Sequence, residues 1–243
     1  MEYLVADRRK SICYRDGEVF RKYFRYADRK AAEHEGKYSR LYEAIGISTP
    51  HFIKTDFSPE RGQFFNEYSY VNMRPIDEAE LDYDLSRKIL RILNKAASSQ
   101  IFCSDGVEFW EQSYRAELTH ALGVLRSYVD VDTDQLLRSV YVQKISALMH
   151  GDFSLSNMSL AGDVLYLYDF ASSGYAPRFW DLGYLVATLR PDVGQKFCDT
   201  VGNEDLLACI KLASAVRLGR SLRKHEDIER RSDIFKYWSE ASL

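Results

Sequence analysis

The chain changes character near residues 70–80, and that change limits the folds open to it. Before it, β-rich runs dominate; after it, apolar residues fall at helical spacing. SICYR and EVFRKYF flank Asp16-Gly17, and Asp-Gly between β-rich runs is a strong hairpin signal. HFIKTDF and GQFFNEYSYV read as two more strands, joined by the turn-like Ser58-Pro59-Glu60-Arg61-Gly62. Between the two pairs, DRKAAEHEGKYSRLYEA places Ala32, Tyr38, Leu41 and Tyr42, with Ile45 just beyond, on one helical face. Gly36 weakens this helix, and Gly46 and Pro50 end it.

Past a connector holding Pro75, helices are predicted from Leu81 to about Ala97, from Phe109 to Tyr128, and from Thr133 to about Ile145. Helical patterns resume at LGYLVATL and from about Glu204 to Lys224, and VLYLY is a short β run. The expectation is an α+β chain: a small β-rich lobe over residues 1–72 and a larger helical lobe over residues 73–243. The net charge of −3 gives no electrostatic case for a nucleic-acid binder. Cys13, Cys103, Cys198 and Cys209 form no CxxC and read as scattered buried thiols. The first residues lack an apolar run of signal-peptide length, and no stretch reaches the ~18 apolar residues of a membrane span. A cytoplasmic protein is expected, with a peripheral membrane contact still compatible.

The chemistry is concentrated in MHGDFSLSNMSLAGDVLYLYDF. His150-Gly151-Asp152, Asn157 and Asp169 put two carboxylates and an amide within 20 residues, on a loop, a turn and a strand end. Phosphoryl transfer needs this inventory: one carboxylate for the attacking hydroxyl, and an amide oxygen with a second carboxylate for magnesium on the nucleotide phosphates. HGDxxxxN fixes four positions, which at roughly one in twenty each recur by chance in about one chain in 700 of this length. Without further context the same residues could be a polar turn before a hairpin, with Asp152 as a cap.

The stretch MHGDFSLSNM…LYLYDFASSGYAPRFWDLGYL resembles the aminoglycoside phosphotransferase and choline kinase group, which shares the protein-kinase-like fold. The match is tight over about residues 148–187 and loose elsewhere. The resemblance implies a two-lobed fold, Asp152 as catalytic base, and Asn157 and Asp169 as magnesium ligands. It makes His150 structural, and it has Asp181 capping the following helix and bracing the catalytic loop. It also implies a strand lysine on the nucleotide phosphates, paired with a helix glutamate. Lys22 fits the first, with Arg21 on the opposite strand face; an exposed edge-strand lysine is the other reading. Glu35 fits the second, with Glu33 as its rival. FFNEYSYV stands at the hinge, where Glu67 and Tyr68 would set backbone groups against adenine, though Phe65 and Tyr68 also suit a core. Asp7-Arg8-Arg9-Lys10-Ser11 stands where such folds carry a phosphate-covering loop, and it has no glycine to allow close backbone approach.

The resemblance implies ATP and Mg2+ as cofactors and a small-molecule hydroxyl acceptor: a sugar, an aminoglycoside-like compound, an amino alcohol or a lipopolysaccharide core sugar. The 17 Tyr and 13 Phe lean slightly toward a sugar, which stacks on rings. Asp192, Glu204 and Asp205 suit an amine or polyol, while Arg217, Arg220, Arg223 and Lys224 suit an anion or form a solvated face. A catalytically silent kinase-like domain is the alternative, supported by the glycine-free loop and opposed by the intact Asp152, Asn157 and Asp169. A protein kinase is disfavoured by the short span between Asp169 and Asp181.

Overall fold

The computed structural model describes residues 2–7, 11–99, 115–141, 143, 145–201 and 203–242. Arg8, Arg9, Lys10, Cys103 and the start of the helix expected from Phe109 lie outside the described residues. The chain forms two compact units. One joins residues 1–76 to 156–173; the other joins 77–155 to 174–243.

The first unit is built on a five-stranded antiparallel sheet: β1 (Glu2–Asp7), β2 (Ser11–Asp16), β3 (Val19–Phe24), β4 (Phe52–Ser58) and β5 (Gln63–Ser69), in the order β1-β2-β3-β5-β4. The Asp16-Gly17 hairpin forms as expected, with Gly17 at φ 58. Helix α1 (Arg29–Ala44) starts at Asp28, whose carboxylate accepts the Ala31 N–H at 2.9 Å. Its buried face carries Ala32, Glu35, Gly36, Tyr38, Ser39 and Tyr42. Gly36 is in a helix because a Cβ there would stand 2.7 Å from the Phe52 ring of β4. Buried Asn66 on β5 donates to the Ala32 carbonyl at 2.9 Å and so ties sheet to helix. A second, three-stranded sheet pairs β6 (Arg74–Pro75), β8 (Met158–Ala161) and β9 (Val164–Leu167). A 3-10 turn, Phe170–Ser172, follows β9.

The second unit is helical: α2 (Tyr83–Ser98), α3 (Arg115–Arg126), α4 (Thr133–Tyr141), α5 (Trp180–Val186), α6 (Pro191–Val201), α7 (Glu204–Lys224) and α8 (Ile228–Glu240). Leu118, Leu122, Trp180, Tyr184, Leu212 and Val216 are among its buried core. The helices touch closely where side chains are smallest. A Cβ on Gly183 of α5 would meet Cys209 of α7 at 2.7 Å, and one on Gly219 would run into the Ala121 backbone of α3. The helix expected to reach Ile145 ends at Tyr141, and Ile145–Met149 is instead β7, antiparallel to β10 (Gly174–Pro177). ISALM is a short apolar run, and period alone cannot tell a buried strand from a helix there. Among the described residues no helix is long and apolar enough to cross a membrane.

Candidate active site

In the first unit, Lys22, Glu35 and Asp169 meet. Lys22 Nζ donates to Glu35 Oε2 and to Asp169 Oδ1, both at 2.7 Å. β3 lies inside the sheet and Lys22 is buried, so it is not an edge-strand surface lysine. Strand alternation sends Arg21 the other way, to Glu67 Oε2 at 2.6 Å. Glu35 holds the position opposite Lys22, while Glu33 sits on the exposed face of α1 and pairs with Arg29 at 2.7 Å. Burial by itself favours the neutral amine of Lys22, but the charges of Glu35 and Asp169 outweigh it and hold the ammonium above its ordinary value. Burial pushes Glu35 upward, against the pull of Lys22.

Asp169 has φ 67, the left-handed region that non-glycine residues rarely adopt. Its surroundings fix it there. Phe170 is buried against Tyr42 of α1, with ring centroids 4.9 Å apart, and His34 Nε2 bonds the Ser173 carbonyl at 2.9 Å. The same two contacts hold the face of α1 that carries Glu35. Asn157 is buried, and its carbonyl accepts the Tyr168 N–H at 3.2 Å, so the β8–β9 hairpin brings Asn157 and Asp169 to one end. An amide and a carboxylate at one hairpin end are the hard oxygen donors that magnesium takes from a protein, and the residues fit that ion.

A cavity of about 300 Å³ opens beside this cluster, with Ser11, Lys22, Glu35, Tyr68, Met73 and Asp169 among its walls. The residues expected at the hinge lie within the sheet. Glu67 and Tyr68 are inside β5, in register with Arg21 and Phe20 on one side and with Lys54 and Phe52 on the other. Their backbone belongs to those ladders. Glu67 is occupied by Arg21, and Tyr68 contributes its side chain, whose hydroxyl donates to Glu35 Oε1 at 3.1 Å. Ser69, at the end of the strand, and Tyr70, Val71 and Met73 beyond it line the cavity together with Tyr68. β5 ends at Ser69, inside the run GQFFNEYSYV that reads as a strand, and both of its edges are paired.

The second unit carries His150-Gly151-Asp152. His150 is fully buried, and Gly151 has φ 82. Asp181 Oδ2 accepts the His150 N–H at 2.6 Å, and its Oδ1 accepts the Gly151 N–H at 3.0 Å. Asp181 thus braces the loop, but it does not cap α5: it is the second residue of that helix, and Phe179 is the cap position. Burial pushes the Asp181 carboxyl up, opposed by His150 and the two amides. Asp152 is accessible, with 44% of its side chain exposed, and Arg217 Nη1 lies 3.8 Å from its Oδ1. Arg217 and Arg220 both donate to the Tyr184 hydroxyl at 2.9 Å. They are not a solvated face, unlike the exposed Arg223 and Lys224. Tyr184 carried no sequence signal of its own beyond its i+3 spacing from Asp181. Asp192, Glu204 and Asp205 are exposed.

The model of the phosphotransferase enzyme family matches residues 16–211. The chain belongs to that family. Solved structures share its protein-kinase-like fold. A choline/ethanolamine kinase family protein from Mesorhizobium loti has a TM-score of 0.68 at 14% identity, over 99% of this chain and 88% of that one. Aminoglycoside 2'-phosphotransferase-IIIa, in its GDP complex, has a TM-score of 0.65 at 12% identity, over 98% and 92%. The amicoumacin kinase hAmiN, in complex with AMP-PNP, Ca2+ and Ami, has a TM-score of 0.66 at 15% identity, over 98% and 86%. No curated protein matches the chain by sequence. Family membership makes this chain a phosphotransferase.

Proposed function

We propose that the protein is an ATP-dependent kinase that transfers the γ-phosphate to a hydroxyl of a small molecule. The observation that carries this reading is Lys22, held as an ammonium between Glu35 and Asp169 on the wall of the cavity. There it meets the nucleotide phosphates as a fixed positive charge. Ser69 to Met73 flank the nucleobase. Asn157 and Asp169 hold the divalent cation, which when bound neutralises the phosphate oxygens. Asp152 accepts the proton of the acceptor hydroxyl, or orients it. The acceptor oxygen bonds to the γ-phosphorus, the bond to the bridging oxygen breaks, and ADP leaves with that electron pair. Positioning and electrostatics supply the rate. Among solved relatives of this fold, one holds GDP and another AMP-PNP; adenine is our assignment.

The test is thermal unfolding with and without Mg-ATP, in wild type, Asp169→Asn and Asp152→Asn. Mg-ATP is expected to raise the Tm of wild type and of D152N and to leave D169N unmoved. Acceptor-dependent ADP release should fall by about 10²–10⁴-fold in D152N. No shift in wild type at millimolar Mg-ATP or Mg-GTP would refute the reading.

A further inference from the structure

The accessible Asp152 is bordered by arginine. Arg217 Nη1 lies 3.8 Å from Asp152 Oδ1 and donates to the Tyr184 hydroxyl at 2.9 Å. Arg220, three residues further along α7, donates to the same oxygen at 2.9 Å and pairs with Glu117 at 2.9 Å. Two guanidinium groups that share one phenol oxygen stand about two hydrogen-bond lengths apart at most. Like charges at that separation repel by several RT at the effective dielectric of a partly buried site. A third guanidinium stands nearby, paired with Asp227 at 3.2 Å. Arg231, buried on α8, is pulled down to about 10 by burial and by the charge of Arg217. Packing alone does not call for this concentration, since a neutral side chain on α7 would fill the space without the repulsion.

The arrangement matches an oxyanion. A planar guanidinium offers two parallel N–H groups to a phosphate or carboxylate, and it is the side chain best suited to bind them. Among the described residues, Arg217 makes its hydrogen bond through Nη1, the atom that also faces Asp152. Both arginines can be reached: 22% of the Arg217 side chain and 19% of the Arg220 side chain are exposed. An anion beside Asp152 would be repelled unless cations stood between, and Arg217 stands there.

We infer that the acceptor is a hydroxyl compound carrying an oxyanion, a phosphate or a carboxylate, that Arg217 and Arg220 hold while its hydroxyl is presented to Asp152. The inference rests on the phosphotransferase reading and narrows its substrate class.

The test first saturates the protein with Mg-ADP and then titrates four probes by calorimetry: glucose 6-phosphate, glucuronate, glucose and kanamycin. The Mg-ADP step itself checks the kinase reading: no Mg-ADP binding overturns both. With Mg-ADP bound, saturable binding of glucose 6-phosphate or glucuronate is expected, at least tenfold tighter than that of glucose, with kanamycin weakest. The stronger of the two anions identifies phosphate or carboxylate as the group recognised. Arg217→Gln should weaken the anion by about 10–100-fold while Mg-ADP affinity is retained. Arg217→Lys should restore part of it, since the charge returns without the fork. Mg-ADP binding without anion preference, anion binding unmoved in R217Q, or kanamycin bound best would each overturn the acceptor inference and leave the kinase reading standing.

Discussion

Lys22 donates to Asp169 at 2.7 Å across a sequence separation of 147 residues. The same ammonium donates to Glu35 at the same distance, so one cation joins a strand, a helix and the end of a hairpin. The three groups hold one another in place and hold the cavity wall that they form.

Removing the cation should therefore act on stability as well as on catalysis. With Lys22 changed to Met, Glu35 stays 98% buried beside Asp169 without its partner, which is expected to destabilise the fold by about 3–5 kcal/mol. Adding Glu35→Gln removes the stranded charge, so the double variant should be more stable than K22M alone. Urea denaturation of wild type, both single variants and the double variant checks this. Equal stabilities of K22M and the double variant would show that Glu35 does not depend on Lys22.

The brace under the loop that carries Asp152 acts differently. Both oxygens of Asp181 accept backbone N–H groups, from His150 and Gly151. In Asp181→Asn one acceptor becomes an NH2 facing an N–H, which should cost about 1–3 kcal/mol of stability. The loop carrying Asp152 then shifts, and kcat should fall by up to about 10²-fold with the KM for nucleotide nearly unchanged. A KM effect of the same size as the kcat effect would place Asp181 in nucleotide binding instead.

Much of this was legible in the sequence, for reasons visible residue by residue. Asp16-Gly17 announced the β2–β3 hairpin because its turn needs a left-handed backbone, and strand alternation separated Lys22 from Arg21. Glu35 could be preferred to Glu33 because it shares a helix face with Tyr38 and Tyr42. What failed depended on pairing. β7 and β10 are strands only because they find each other from 29 residues away, counting Ala147 to Ala176. Glu67 and Tyr68 fall in the run GQFFNEYSYV that reads as a strand, but the pairing of β5 on both edges is encoded by no local pattern. The convergence of Arg217 and Arg220 on Tyr184 needs the packing of α5 against α7, and spacing on α7 alone shows only a charged stripe.

The glycines of the helices should respond to alanine in a definite order. Gly123 on α3 has no atom within 4 Å of a would-be Cβ, so Gly123→Ala should stabilise by about 0.5–1 kcal/mol through helix propensity. Gly36 faces the edge of the Phe52 ring, and overpacking there should cost about 1–3 kcal/mol. Gly219 faces the Ala121 backbone, which cannot turn aside as a ring can, so Gly219→Ala should be the most damaging. Thermal unfolding of the three variants reads the order directly, and a neutral G219A would refute the close approach of α3 and α7.

His34 should give the fold a pH dependence. Burial pulls its pKa below the ordinary value, and nearby Lys37 adds to this, while the bond to the Ser173 carbonyl opposes them. A folded-state pKa below the unfolded one means that the unfolded chain binds the extra proton first as pH falls. The contribution of His34 is thus complete above about pH 6.5 and is lost as pH drops from there through the lower folded value. Gln in its place can still donate to the Ser173 carbonyl but does not titrate. Between pH 7.5 and 5 the Tm of wild type should fall more steeply than that of His34→Gln, the difference opening below about pH 6.5. Because carboxylates titrate equally in both proteins, the difference curve isolates the histidine, and parallel curves would mean that the ring is not desolvated between α1 and the segment that carries Asp169.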